Sequence, residues 1–532
     1  MKMLRKALLL LICLLIMGCN GEKKIAEKDN LRVYVGTDTE SMDPGKMSST
    51  HGAMYAHTIF EGLTKMGADG LPKLAAADKC DVSKDGLTYT FHLRENSWHN
   101  GDTVRAGDFV YAYRRILDPK FASVYAYMLY MIKGAQEYNQ GKAGADALAV
   151  KALDEKTLQI TLRTPTPYFL SACNHQSLYP VNPKVVEANG DWATKAETLV
   201  GNGAYKISKW VRNNKMVVVK NEKYWDAKNV PGKMITFHLL DKANTGHDMF
   251  DNKELDFEIG AGRDRRERLK KEGKLYEANS IHVSYYTANN LLPPFDNPKV
   301  RKAISYALHR QKTIDVITNF APYKAAFGLV PYGIKDPETG KDFRQVGGEL
   351  FTENLAEAKK LLAQAGYPEG KNFPPIQVLV STAATNIQNV EMLQETLKNN
   401  LGVKVELHNQ EWKVFLASKR SRDNKYHMVF QHWVGDYLDP LSYLDMFMTD
   451  NPNNSSFYSN SEYDRLVQIA QLSPKQQERL EVMHKAESIL MKEMGVIPTS
   501  FGCIVASVDP KVKGFVDEGN SIFNFAYAYK ES

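Results

Sequence analysis

Residues 84–93 read KDGLTYTFHL, and this stretch decides the fold class. KDG is a turn sequence, and LTYTFHL at residues 87–93 alternates apolar and polar side chains with the period of a half-buried strand. LRVYV at residues 31–35 alternates in the same way, and residues 158–162 (LQITL) and 216–219 (MVVV) are further predicted strands. The chain therefore contains β-sheet from near its N-terminal end onward.

Helices lie between the predicted strands. Asn297 and Pro298 predict a helix start, because Asn caps a first turn and Pro fits the first helical position. A second predicted helix covers residues 354–365 and ends at Gly366. The apolar stripes are Val300, Ile304, Ala307 and Leu308 in the first helix, and Ala358, Leu361, Leu362 and Ala365 in the second.

Strands and helices alternate without clear linkers, which is typical of an α/β or α+β chain with mixed sheets. Turn and loop sequences that contain Pro and Gly predict domain boundaries near residues 60, 182, 281 and 503.

The N-terminal end has the pattern of an export signal. Lys2, Arg5 and Lys6 are positive. The apolar run that follows, at residues 7–17, is shorter than the roughly 20 residues that a membrane-spanning helix needs. A signal peptide is therefore predicted at residues 1–18.

Residues 16–19 (IMGC) resemble a bacterial lipobox, which predicts that Cys19 carries a lipid anchor and that residues 19–29 form a polar tether. The alternative is an ordinary secretory signal with a chance cysteine. The mature protein is expected outside the cytoplasm, anchored by lipid to a bacterial membrane on its periplasmic side or at the cell surface.

The composition argues against nucleic-acid binding. Without Lys2, Arg5 and Lys6, the 68 basic side chains become 65, against 62 acidic ones, and no Lys/Arg-rich run occurs. With 22 Phe, 27 Tyr and 6 Trp in 532 residues, the chain can bury large cores, and its length favours two or three domains.

Three cysteines remain beyond the export segment: Cys80, Cys173 and Cys503. The sequence leaves open whether any two of them pair, and no CxxC spacing indicates metal or redox chemistry.

A series of short phrases occurs along the chain in a fixed order. Together they resemble the oligopeptide- and dipeptide-binding proteins of ABC importers, the bacterial extracellular solute-binding family 5, over residues 30–525 or so. The phrases are ESMDP (40–44), IFEGL (59–63), YTFHLR (89–94), WHNGD (98–102), DFVY (108–111), GNGAY (201–205), NEKYW (221–225), NN (289–290), PPF (293–295), VRKA (300–303), AGYP (365–368), NQEW (409–412) and WVGD (433–436).

The resemblance implies a two-lobed, periplasmic-binding-protein-like α/β fold with a hinge and an additional third domain. The first lobe would comprise residues 30–60, 183–281 and 504–532, the extra domain 61–182, and the second, ligand-binding lobe 282–503. The lobes would close over the ligand, and a transporter would read occupancy from their orientation.

The resemblance also implies a binding site for extended oligopeptides. Asp436 would receive the α-ammonium group of the peptide, and the backbone of His432 and Val434 would pair with it as with an added strand. Ser48 and Thr50 would flank the ligand from the first lobe. The competing interpretation of Asp436 is a loop aspartate that caps the turn at residues 439–440.

Several aromatic positions match pocket residues of the family. Trp433 and Trp412 would offer flat apolar surfaces, although each could equally be a core tryptophan. His175 matches another pocket position, where a structural histidine is the competing interpretation. Tyr285 and Tyr286 fit either a pocket or the core.

Other positions depart from the family pattern. Phe430 and Asn386 stand where relatives carry basic groups that hold the peptide carboxylate. Ser48 and Thr287 replace acidic pocket residues, and His282 and Val434 replace a cysteine pair, so that disulfide cannot form. The amine end of the site is retained, whereas the familiar carboxylate anchors are lost.

The predicted partners are an oligopeptide, the ABC permease and ATPase subunits, and the membrane through Cys19; the protein is expected to be a monomer without cofactor, metal or nucleic acid. An enzyme is the main rival, but no HExxH, GxSxG or P-loop motif occurs. The same scaffold could instead bind a metal chelate, haem or a sugar, or serve as a surface receptor.

Overall fold

The computed structural model describes residues 29–39, 41–47, 49–262, 264–318, 322–423, 425–435, 437–449, 451 and 453–531, with the side chains of residues 412 and 413 left out. The predicted signal peptide, the lipid site Cys19 and the ligand residues Ser48 and Asp436 lie outside the described residues, as does the side chain of Trp412.

The described strands are, in chain order, β1 (Asn30–Gly36), β2 (Thr64–Met66), β3 (Pro72–Leu74), β4 (Ala77–Val82), β5 (Thr88–Leu93), β6 (Val150–Ala152), β7 (Thr157–Thr161), β8 (Tyr205–Val211), β9 (Lys215–Lys220), β10 (Met234–Leu239), β11 (Phe257–Ile259), β12 (Leu275–Ala288), β13 (Lys324–Ala325), β14 (Ile376–Ser381), β15 (Val405–Gln410), β16 (Met428–Val434), β17 (Val496–Val508), β18 (Val512–Lys513), β19 (Val516–Asp517), β20 (Phe523–Asn524) and β21 (Tyr529–Lys530).

The described α-helices are α1 (Thr50–Ile59), α2 (Ala106–Leu117), α3 (Ala135–Asn139), α4 (Phe169–Ala172), α5 (Pro183–Ala188), α6 (Ala243–Asp251), α7 (Arg266–Lys271), α8 (Pro298–Tyr306), α9 (Arg310–Thr318), α10 (Phe343–Gly347), α11 (Leu355–Gln364), α12 (Ala384–Leu401), α13 (Trp412–Arg420), α14 (Leu441–Leu444), α15 (Ser461–Leu472) and α16 (Gln476–Glu493).

The local sequence signals are confirmed. All four predicted strands are present, as β1, β5, β7 and β9. Asn297 and Asn354 accept hydrogen bonds from the first turns of α8 and α11, which explains where these helices begin. Helix α8 ends at Tyr306, so Ala307 and Leu308 lie beyond it, yet both are buried.

A large mixed sheet runs through the described chain, with the strand order β15-β14-β16-β12-β17-β11-β1-β10-β9-β8 and β13 against β17. A separate sheet, β4-β5-β7-β6, lies within the predicted extra domain. Both parallel pairs, such as β1 with β10, and antiparallel pairs, such as β12 with β17, occur in the large sheet. The mixed sheets agree with the predicted class.

The two long strands β12 and β17 connect two hydrophobic cores. The C-terminal half of β17 packs into the core that contains β1, β10 and β11, whereas its N-terminal half packs into a second core with Tyr443 and Leu490. Their pairing loses register between Asn279 and Val283, between the two cores. A two-stranded ribbon with a break in its ladder is the connection expected of a hinge between two lobes. The residue bounds predicted for the lobes stay predictions.

Three of the family phrases, IFEGL, GNGAY and NEKYW, form a buried hydrogen-bond network in the first core. Asn202 donates to the Glu61 carbonyl at 2.9 Å and accepts from the Glu61 N–H at 3.0 Å. The Glu61 carboxylate accepts hydrogen bonds from Tyr224 and Trp225, and burial raises its pKa. Gly201 is required because a Cβ there would stand 2.1 Å from the Ile59 carbonyl oxygen. These phrases therefore specify structure.

The phrases WHNGD and DFVY have a similar role. Trp98 is buried, and its indole N–H donates to the Asp108 carboxylate at 2.9 Å. Asp108 also accepts from the Arg105 N–H at 3.0 Å and so caps α2.

No described helix is long and apolar enough to cross a membrane. Cys80, Cys173 and Cys503 are free thiols.

Candidate functional site

A cleft of about 610 Å³ opens between the predicted extra domain and the second lobe. Of its twenty described lining residues, eight are aromatic or methionine and three are charged. The lining includes Tyr127, Met128, Tyr130, Met131, Arg163, Tyr168, Arg420, Trp433, Tyr437, Asp445 and Met446. Such a surface can accept side chains of different shapes, since methionine adapts and aromatic rings offer flat contact area.

One edge of β16 is open beside this cleft. β14 pairs with β16 only at Met428 and Val429, so the following residues of β16 have no described strand on that side. On the other side β16 pairs antiparallel with β12, with Val434 opposite His282. The strand therefore offers a free backbone edge towards its C-terminal end.

The direction of the backbone groups on that edge follows from the ladder. The Gly435 N–H donates to the Ile281 carbonyl, and the Asn289 N–H donates to the His427 carbonyl. Because bonding groups alternate along an antiparallel strand, odd-numbered residues here face β12 and even-numbered ones face away. The N–H and C=O groups of His432 and Val434 therefore point to the open edge, as the predicted pairing role requires. Their side chains are exposed, that of Val434 by 39%.

The chain on both sides of Asp436 is firmly held. The Gly435 N–H also donates to the Tyr443 hydroxyl at 3.0 Å, and a Cβ at Gly435 would stand 2.5 Å from that oxygen. Tyr437 stacks on Tyr168 with ring centroids 4.0 Å apart and planes 4° apart. The predicted amine acceptor thus follows the free edge directly in the chain and precedes a contact between the cleft walls.

Of the remaining predicted residues, Trp433 lies at the cleft and Thr50 at the surface, whereas Phe430 is buried. Trp433 lines the cleft and donates its indole N–H to the Ser442 carbonyl at 2.8 Å. Thr50 is the exposed first residue of α1. Phe430, in contrast, is only 2% exposed and packs on Tyr286, with ring centroids 4.9 Å apart.

Phe430 and Asn386, the positions where relatives carry basic groups, carry none here. Asn386 donates to the Ser381 hydroxyl at 2.9 Å. Thr287 is buried and accepts from Gln431 at 3.3 Å. His282 and Val434, the positions of the missing cysteine pair, lie directly opposite each other in the ladder.

His175 lies at a small cavity of about 30 Å³ that Tyr437 and Leu438 also line. Burial lowers the pKa of His175 to about 3, so its ring is neutral. The same cavity contains a buried pair that sequence reasoning missed, His57 and Glu518, with Nδ1 and Oε1 3.0 Å apart. No local signal points to this pair, because its partners are 461 residues apart.

Lys419, on the last turn of α13, was also missed. Its ammonium group donates to the Gln431 side-chain carbonyl at 2.6 Å, and no carboxylate of the described residues lies within ion-pair distance. Desolvation, with a smaller effect of Arg420, lowers the pKa of Lys419 to about 8. In the sequence, Lys419 resembles the basic residues that commonly end helices, so nothing distinguishes it.

Comparisons with known proteins agree with this geometry. The model for "bacterial extracellular solute-binding proteins, family 5" matches residues 71–455. The dipeptide-binding protein DppE of Bacillus subtilis is 35% identical over 94% of each chain. The oligopeptide-binding protein OppA of the same organism is 35% identical over 96% of this chain and 95% of its own.

Two solved structures have a similar fold over nearly the whole chain. The unliganded open form of the periplasmic murein tripeptide binding protein MppA has a TM-score of 0.82 at 28% identity, over 95% of this chain and 98% of its own. Listeria monocytogenes OppA bound to peptide has a TM-score of 0.73 at 28% identity, over 95% and 100%. The expected two-lobed fold is confirmed.

Proposed function

This chain belongs to the bacterial extracellular solute-binding proteins of family 5, and we propose that it is the substrate-binding component of an ABC importer. It captures extended oligopeptides between its two lobes and delivers them to the permease, which the ATPase subunits drive. The observation that carries this proposal is the open edge of β16 at the mouth of a large cleft. The relatives named above as dipeptide- and oligopeptide-binding proteins support it.

Binding through the backbone explains how one site accepts many sequences. A peptide added to the edge at His432 and Val434 exchanges main-chain hydrogen bonds that every peptide can make. Its side chains then alternate between the two faces of the added strand, and waters in a roomy cleft satisfy those that carry polar groups.

The two charged ends of the peptide set its direction. We assign the α-ammonium group to Asp436, which the family resemblance supports. A peptide that starts there and follows the edge past Val434 and His432 runs towards Gln431 and its partner Lys419. Lys419 is therefore the group that we assign to the carboxylate of a short peptide, in place of the basic residues missing at Phe430 and Asn386.

The lipid anchor and the monomeric state are also part of this proposal. The lipobox at residues 16–19 supports a lipid anchor on Cys19, and we propose that the protein is a monomer. No cofactor is needed for capture and release.

Native mass spectrometry of protein purified from cells tests the proposed function. Peptides are expected to co-purify, and protein stripped of ligand by unfolding and refolding should bind peptides again from a random mixture. Refolded protein that does not bind peptides but binds a sugar, haem or a metal chelate would contradict the proposal.

The role of Lys419 predicts a specific pH dependence. Its ammonium form binds a carboxylate, and its pKa is about 8, so affinity for a tripeptide should fall as the pH rises through that value. At about pH 7, Lys419→Met should weaken binding about tenfold, the effect of losing one charge-assisted hydrogen bond. Isothermal titration calorimetry measures both effects.

A control is needed because a peptide α-amine also titrates at about 7.7–8.0. Lys419→Arg keeps its charge throughout this range. The wild type should therefore lose more affinity than Lys419→Arg between about pH 7 and pH 9. Identical pH profiles would show that Lys419 does not hold the carboxylate.

A further inference from the structure

We propose that Arg163 and Arg420 bind a second carboxylate of the peptide between them, so that the protein prefers ligands with an acidic group in the cleft. The inference rests on the proposed function and specifies which peptides are preferred. Both residues line the same cleft, but they belong to opposite walls.

Arg163 belongs to the wall formed by the predicted extra domain. Its position is fixed by the backbone, because its N–H donates to the Met131 carbonyl at 2.8 Å, and Met131 also lines the cleft. Its guanidinium donates to the side-chain carbonyl of Gln136 at 2.9 Å. The partner is a neutral amide, which supplies no counter-charge.

Arg420 belongs to the wall formed by the second lobe, where it is the last residue of α13. Its guanidinium donates to the side-chain carbonyl of Asn453 at 3.2 Å, and Asn453 lines the cleft as well. Neither arginine has a carboxylate of the described residues within ion-pair distance. Each guanidinium has five N–H donors, so most remain available to a ligand.

The charges left over in the cleft favour an anion. Asp436 and Lys419 are assigned above to the two ends of the peptide, and among the described lining residues Arg163 and Arg420 are positive and Asp445 is negative. Ion pairs that lobes enclose are screened less than exposed ones. One bound carboxylate would balance the cleft, and arginine binds carboxylates well because its planar fork matches their geometry.

Closure of the lobes would make this preference stronger. The two arginines stand on walls that move relative to each other, so closing an empty cleft brings like charges together and is disfavoured. A carboxylate placed between them turns that repulsion into two attractions. A ligand shifts the equilibrium between the open and closed states only if it binds one of them more tightly. An acidic ligand binds the closed state more tightly here and therefore favours closure.

Calorimetry with a set of matched peptides tests the inference. The probes are penta-alanine peptides with a single glutamate at each position in turn, each compared with its glutamine analogue. At one position or more, the glutamate peptide should bind the wild type about tenfold more tightly, and added salt should reduce the difference. The preference should disappear in Arg163→Gln and in Arg420→Gln.

Two controls make the result specific. Arg422→Gln removes an exposed charge near Arg420 that does not line the cleft, and it should keep the preference. Peptides with an amidated C-terminus exclude the terminal carboxylate. The glutamate preference should survive amidation; amidation that weakens binding to the wild type much more than to Arg163→Gln and Arg420→Gln would place the terminus between the arginines and overturn the inference.

The outcomes separate this inference from the proposed function. Equal affinities for all glutamate and glutamine peptides would overturn the inference and leave peptide capture intact. A preference that persists in both arginine variants would overturn it too. If none of the peptides bound, the proposed function would fail, and the inference with it.

Discussion

Replacing Asp436 by asparagine is expected to weaken peptide binding by about 3–5 kcal/mol, which is at least 100-fold in affinity. The substitution keeps the size of the side chain and removes only its charge. It leaves the α-ammonium group of the peptide enclosed between the lobes without a counter-charge, and such a loss is large because screening is weak there. Calorimetry with an unmodified tripeptide measures the change.

Two comparisons isolate the amine contact. Asp423→Asn, an exposed aspartate between α13 and β16, should bind like the wild type. N-acetylation of the peptide should weaken binding to the wild type but have little further effect on Asp436→Asn, because both changes remove the same ion pair. If Asp436→Asn bound the unmodified peptide with wild-type affinity, the amine would be held elsewhere.

Replacing Arg479 by methionine is expected to destabilise the second lobe by about 3–5 kcal/mol, because it leaves a buried carboxylate unpaired. The side chain of Arg479 is 0% exposed, and its Nη2 lies 3.0 Å from both oxygens of Asp439. Asp439 is buried, and it also accepts from the Leu441 N–H at the start of α14. Denaturant unfolding followed by circular dichroism measures the loss.

Matched variants test the cause. Arg465 forms an exposed pair with Glu462, and Arg465→Met should have a much smaller effect because solvent screens that pair. In a double variant, Asp439→Asn should recover part of the stability lost in Arg479→Met, since the stranded charge is gone. A single Arg479→Met variant as stable as the wild type would refute this account of the pair. Arg479→Met should also weaken peptide binding in part. Its partner Asp439 lies three residues after Asp436, so local unfolding there would displace the proposed amine acceptor.

Local features of the fold were predictable from the sequence because their causes are local. The alternation at residues 87–93 and the capping side chains Asn297 and Asn354 act within one strand or one turn. The family phrases were recognisable for a different reason. Their residues meet across the fold, as Glu61 and Asn202 do, so the phrases record structural constraints more than ligand contacts.

The site was only partly predictable. The resemblance pointed to His432 and Val434, and the ladder places their backbone groups on the open edge. Lys419 and Arg163 could not be predicted, because what distinguishes them is that no described carboxylate lies within ion-pair distance in three dimensions, and sequence spacing does not contain that information. The pocket roles of Trp412, Ser48 and Asp436 remain predictions.

The position of β17 in the sheet has a consequence for export. This strand ends at Val508, close to the C-terminal end of the chain, yet it lies between β11 and β12 in the middle of the sheet. A chain that is exported from its N-terminal end would therefore be unable to complete the large sheet until residues up to Val508 have emerged. Contacts this distant in sequence form slowly, since a long loop must close first. A product cut short before Val496 would therefore lack the strand that joins both halves of the sheet.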